Sequence, residues 1–170
     1  QASSRSHVYL AVDQESGEQV ILKTPSIDLG ADAAYRERFM LEEWIARRLN
    51  SPHVLKPCRI ERQRNFLYVA TEYIEGQTLR QWMVDNPAPS LEQVRGIVEQ
   101  IARGLQAFHR MEMLHQDLRP DNIMIDQTGT VKIIDFGSVR VAGLLEVASP
   151  IEQQHILGTA LYTAPEYFLG

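Results

Sequence analysis

The sequence predicts an α+β chain in which a small antiparallel sheet with one main helix precedes a mainly helical part. Two observations carry that expectation. Apolar runs flank the turn-forming stretches Asp13-Gln14-Glu15-Ser16-Gly17 and Asp126-Gln127-Thr128-Gly129, the signature of two hairpins. Between them lie two long segments with apolar residues at helical spacing, one over about 32–49 and one from Ser90 onward.

Taken in order, the first hairpin joins His7-Val8-Tyr9-Leu10-Ala11-Val12 to Gln19-Val20-Ile21-Leu22-Lys23, with Lys23 at the strand end. The helix over 32–49 carries Phe39, Trp44, Ile45 and Leu49 as its apolar residues, and charges fill its other face. Strands are predicted over 54–60 and 66–71, around a polar connection from Glu61 to Asn65. Residues 77–86 read as a short helix, ended by Pro87-Ala88-Pro89. Ser90 and Gln93 form a capping box, and Leu91, Val94, Ile97, Val98, Ile101, Leu105 and Phe108 follow at core spacing. His109, near the end of that helix, complements its dipole or sits in a structural hydrogen bond. The second hairpin joins Ile123-Met124-Ile125 to Val131-Lys132-Ile133-Ile134, and residues 138–157 show no clean periodicity.

Composition excludes several classes. A chain of 170 residues with 44% hydrophobic content buries a real core. Its net charge of -5 argues against a nucleic-acid binder, which neutralises phosphates with a basic surface. One cysteine, Cys58, allows no internal disulfide and fits a reducing cytoplasm. No apolar run is long enough to span a membrane within this segment.

The chemistry concentrates in residues 115–137. His115, Asp117 and Asn122 stand in the frame H-x-D-x-x-x-x-N, and Asp135-Phe136-Gly137 follows the second hairpin. That hairpin brings Asn122, just before its first strand, close to Asp135, just after its second. Two hard oxygen ligands suit magnesium, which takes one or two protein oxygens and leaves its other positions to water and phosphate. Asp117 is then left to accept a proton from an attacking hydroxyl. This is the layout of a phosphoryl-transfer site.

Here the chain resembles the eukaryotic-type serine/threonine protein kinases, a bacterial member being compatible with its short loops. The resemblance rests on five elements in order: Val20-Ile21-Leu22-Lys23, the 32–49 helix, Glu72-Tyr73-Ile74-Glu75-Gly76, the 115–137 motif, and Gly158-Thr159 leading to Ala164-Pro165-Glu166. It implies a two-lobed fold, with an N-terminal lobe over 1–71, a hinge over 72–76 and a partial, mainly helical C-terminal lobe over 77–170. Lys23 would hold the ATP phosphates, braced by Glu42, while the adjacent Glu43 would be an ordinary surface charge. Val8, Ile21, Glu72, Ile74 and Met124 would line the nucleotide site, with Thr71 behind it. Asn122 and Asp135 would hold Mg2+, or Mn2+ in its place. Arg119 would neutralise the transferred phosphate beside the base Asp117, and the acceptor would be a protein serine or threonine.

The departures are as informative. The positions of the family's phosphate-covering G-x-G-x-x-G are Gln1, Ser3 and Ser6, so no glycine there lets backbone approach the phosphates. Ile21 replaces a small alanine and narrows the adenine slot. Gln116 replaces an arginine that pairs with a phosphorylated activation loop, so ordering by that route is not expected. The missing glycines also fit the alternative of a pseudokinase-like regulatory module with weak or no phosphotransfer.

Overall fold

The computed structural model describes residues 6–26, 33–58, 65–143, 160–162 and 164–168. Strand β1 (Ser6–Val12) pairs antiparallel with β2 (Gln19–Pro25), in a register running from Ser6 opposite Pro25 to Val12 opposite Gln19. The turn closes because Gly17 adopts φ +73°, open to glycine without strain, and donates to the Asp13 carbonyl at 2.8 Å. Strand β3 (Val69–Glu72) completes this sheet on the far side of β2.

Over its described residues, 54–58, the strand predicted for 54–60 does not form. Val54 and Pro57 make only isolated bridges, to Ile133 and Thr71. Pro57 has no N–H to give a ladder, so the segment is held by single hydrogen bonds on either side of it: Glu72 N to Lys56 O at 3.0 Å and Cys58 N to Ala70 O at 2.9 Å. Residues 59–60 of that prediction lie outside the described residues, as do Gln1, Ser3, Gly158 and Thr159.

Helix α1 (Ala33–Ala46) stops short of the expected residue 49. Its last turn tightens, with Arg48 N donating to Ile45 O at 2.9 Å. Next, residues 76–78 extend as β4 (Gly76–Thr78), and only then does α2 (Leu79–Asp85) begin, capped by Thr78 Oγ1 accepting from Gln81 N at 3.2 Å. Helix α3 (Leu91–His109) starts with the expected capping box: Ser90 Oγ accepts from Gln93 N at 3.2 Å, and Ser90 N donates to Gln93 Oε1 at 2.8 Å.

A short β5 (Met113–Leu114) follows, then a 3-10 turn at Pro120–Asn122 and the second hairpin, β6 (Ile123–Asp126) and β7 (Val131–Ile133). Strand β4 pairs on the outer side of β6, while β8 (Arg140–Val141) pairs with β5. Two more 3-10 turns, Ala160–Tyr162 and Pro165–Phe168, lie near the chain end.

One core joins these parts. Ile45, Ala46 and Leu49 meet Val54, Phe108, Met113, Ile133, Phe136 and Val139, all buried. Burying each large side chain of this kind contributes roughly 1.5–3 kcal/mol. Helix α3 approaches closely because Gly104 has no side chain: a Cβ there would lie 2.8 Å from the His53 carbonyl oxygen and 2.9 Å from Ile133 Cδ1. A second cluster of Ile123, Ile125 and Val131 packs against Leu79, Trp82, Ile97 and Ile101.

Candidate active site

Opposed residues of an antiparallel pair share a face, so the register sets which side chains of this sheet stand together. Val8 stands opposite Lys23, Leu10 opposite Ile21, and Ile21 in turn opposite Thr71. The predicted nucleotide-facing residues Val8, Ile21 and Lys23 thus lie together, with Thr71 buried at their back. Strand β2 continues two residues past Lys23, so Lys23 sits within the strand and not at its end.

Lys23 Nζ donates to Glu42 Oε2 at 2.6 Å, and Asp135 Oδ1 lies 3.8 Å away. Burial alone would lower the lysine's pKa, but the two carboxylates outweigh it, so Lys23 is held above its ordinary value as a firm cation. For Glu42 burial dominates and raises its pKa, with Lys23 opposing. A Cβ on Gly137 would come 3.1 Å from Glu42 Oε1 and 3.3 Å from Asp135 Oδ1. The third residue of the D-F-G triplet therefore leaves room for the glutamate's approach.

Glu43 does not behave as the expected surface charge. It is buried, 6% exposed, and Arg47 one turn on donates to its Oε1 at 2.7 and 3.0 Å. The signal was present: Phe39, Glu43 and Ala46 fall at i, i+4 and i+7, one helical face, and all three are buried.

The loop below is held by its own polar groups. Asn122 Nδ2 donates to Asp117 O at 2.9 Å and to Asp117 Oδ2 at 3.0 Å. Arg119 Nε lies 3.6 Å from the same Oδ2, an ion pair too long for a hydrogen bond. Asp117 is thus oriented by two neighbours. The Ile134 N–H donates to Asn122 O at 2.9 Å, which fixes Asn122 beside the residue preceding Asp135, as the hairpin argument required. His115 is buried edge-on to Phe108, its Nδ1 accepting from Asp117 N at 3.4 Å; burial pushes its imidazole below the ordinary range.

Asp135 and Gln116 both adopt left-handed backbone, φ +67° and +62°. Non-glycine residues there carry strain of order 1 kcal/mol or more, which surrounding packing must hold. Phe136 supplies that packing, buried edge-on to Phe108 at 5.7 Å between ring centroids. Gln116 brings no cation, and among the described residues its buried Oε1 has no hydrogen-bond partner.

In the predicted hinge segment, Ile74 is buried, while Glu72 is committed on both oxygens, to Lys56 N at 2.9 Å and Lys132 Nζ at 2.6 Å. Met124 sits opposite both Thr78 and Lys132 in its sheet, on the face away from the buried Ile123 and Ile125. A further contact had no local signal in the sequence. Arg80 binds Asp121 bidentately, at 2.8 and 3.1 Å, and donates to the Tyr162 hydroxyl at 2.8 Å.

Comparison with known proteins agrees with this geometry. The family model described as the protein kinase domain matches residues 3–169, and the chain belongs to that family. Among curated proteins, it is 29% identical over 164 residues to the serine/threonine-protein kinase PrkC of Bacillus subtilis, covering 96% of this chain and 25% of that protein. It is 31% identical over 172 residues to the probable serine/threonine-protein kinase PknB of Bifidobacterium longum, with the same two coverages, 96% and 25%. Against the serine/threonine-protein kinase PknA of Mycobacterium tuberculosis it is 32% identical over 168 residues, 96% of this chain and 38% of that protein. The chain therefore spans between a quarter and two-fifths of the length of these relatives.

Proposed function

We propose that this chain carries the ATP site and catalytic loop of a serine/threonine protein kinase, which transfers the γ-phosphate of ATP to a protein hydroxyl. The observation that carries the reading is the conjunction of the Lys23–Glu42 ion pair, with Asp135 3.8 Å from the amine, and the Asp117–Asn122 hydrogen bonds, with Asn122 tied by its carbonyl to the residue before Asp135. On this reading residues 1–71 form the N-terminal lobe, 72–76 the hinge and 77–170 a partial C-terminal lobe. Lys23, kept cationic by Glu42 and Asp135, grips phosphate. Val8, Ile21, Ile74 and Met124 enclose the adenine, with the hinge backbone at Glu72 and Ile74 beside it. The single Cys58 fits the reducing cytoplasm in which we place this segment.

The donor set fits a divalent cation of the Mg2+ type. Asn122 spends its amide N–H groups on Asp117, leaving Oδ1 as a hard oxygen, and the Asp135 side chain is 46% exposed. When bound, the ion would neutralise charge on the phosphates. Asp117, oriented by Asn122, accepts the proton of the acceptor hydroxyl, and Arg119 places positive charge beside it. No helix among the described residues is long and apolar enough to cross a membrane.

The test is transfer of labelled phosphate from ATP by the full-length protein, wild type against Asp117→Ala, with magnesium or manganese. Loss of the base is expected to lower transfer by about 10²–10⁴-fold. Equal signal from both proteins, or none from either, would sink the reading.

A further inference from the structure

The Arg80 guanidinium joins three parts of the chain that are far apart in sequence. It projects from the first turn of α2, grips Asp121 in the 3-10 turn of the catalytic loop, and donates to the Tyr162 hydroxyl in the turn at 160–162. Asp121 in turn lies 4.0 Å from Arg119, whose Nε lies 3.6 Å from Asp117. A line of polar groups therefore leads from Tyr162 through Arg80, Asp121 and Arg119 toward the proposed base, hydrogen-bonded as far as Asp121 and joined beyond it by longer ion-pair contacts. The segment at 160–162 thus borders the place where an acceptor hydroxyl must arrive. Its Leu161 is 81% exposed and Tyr162 40% exposed, so both side chains stand open to an incoming polypeptide.

We infer that Arg80 is a positioning residue for the acceptor: it holds the Tyr162 segment against the catalytic loop by an internal cation. The inference rests on the kinase reading of Asp117 above. Only a planar, five-donor group serves both partners at once, two donors to the carboxylate and one to the phenol; lysine carries the charge but not the fork. Arg80 thereby joins an acidic catalytic loop to a phenol with no added phosphate, which suits a chain whose Gln116 offers no cation for one. Arg80 also occupies the Asp121 carboxylate, so Arg119 is not drawn from Asp117 toward an unpaired acid. None of these contacts reaches Lys23 or Glu42, so nucleotide grip is separate from acceptor placement.

The test uses the full-length protein with dephosphorylated casein as acceptor. Arg80→Ala is expected to raise KM for casein about tenfold, the size of one lost charge-assisted bond. The affinity for ATP, measured by titration calorimetry, is expected to stay within about twofold, because Arg80 itself contacts neither Lys23 nor Glu42. Tyr162→Phe, which removes one hydroxyl and keeps the ring, should raise KM for casein by about threefold with an unchanged thermal midpoint. An unchanged casein KM in both variants overturns the inference and leaves the kinase reading standing. So does a parallel fall in ATP affinity and thermal midpoint, which marks a merely structural role. Absence of transfer by the wild type overturns the kinase reading, and the inference with it.

Discussion

Glu42 and Glu43 are chemically identical neighbours pointing about 100° apart, and that angle gives them different work. Glu42 holds Lys23, while Glu43 is buried on the core side of α1 and paired with the exposed Arg47. Glu42→Ala is expected to lower ATP-dependent turnover by about 10²-fold, since Lys23, the amine proposed to grip phosphate, loses its brace. Glu43→Ala is expected to lower stability by about 1–3 kcal/mol in urea denaturation, with turnover per folded molecule unchanged. The opposite pattern would exchange their roles. His115 gives a pH signature. Because burial holds its pKa below 6.5, the unfolded chain takes up a proton that the folded chain resists. Stability from this residue is complete above about pH 6.5 and is lost as pH falls from there through the depressed folded value. His115→Gln should therefore flatten the dependence of stability on pH in that window; parallel curves for variant and wild type would refute the assignment.

At the level of elements, α3 offers two glycines with opposite expectations. Nothing lies within 4 Å of a Cβ built on Gly96, so Gly96→Ala should stabilise by about 0.5–1 kcal/mol through helix propensity alone. Gly104→Ala gains the same propensity but meets backbone, the His53 carbonyl, at 2.8 Å. Overpacking of about 1–3 kcal/mol outweighs the gain, and the melting temperature should fall. A rise in both variants would show that α3 shifts freely on β7. The same helix shows why the sequence was readable where it was. Its cap and the two hairpins are local patterns, and each appears where spacing placed it, but of the stripe expected to be core only Phe108 is fully buried, while Leu91, Val94 and Val98 are exposed. The strand at 54–60 was misread because apolar content outvoted Pro57, whose missing N–H breaks the ladder. In the site, the polar residues and their order were legible from fixed spacing. The burial of Glu43 was legible only by counting four residues from Phe39, and the Arg80–Tyr162 contact, 82 residues apart, was not legible at all.

Across the whole molecule, the apolar surface is unevenly covered. Leu91, Val94 and Val98 recur along one side of α3, and Leu91 is 84% exposed; Met83 and Val84 of α2 are exposed as well. Native protein of these 170 residues is expected to bind a hydrophobic fluorescent dye, and Leu91→Lys with Val98→Lys should reduce that signal. Because both side chains already face water, the stability change should stay within about 0.5 kcal/mol per site. Dye fluorescence equal to that of buffer alone would contradict the exposed stripe.

The left-handed backbone at Asp135 carries one more consequence. Relaxing that residue to ordinary φ would swing its carboxylate and withdraw Phe136 from among Ile45, Phe108 and Ile133. The aim of a solvent-facing charge is thus governed by oil-like packing on the other side of the peptide. Inactivating changes need not lie near nucleotide: trimming Phe108 or Ile45 loosens the seat of the ring next to Asp135, and with it the compass bearing of the acid.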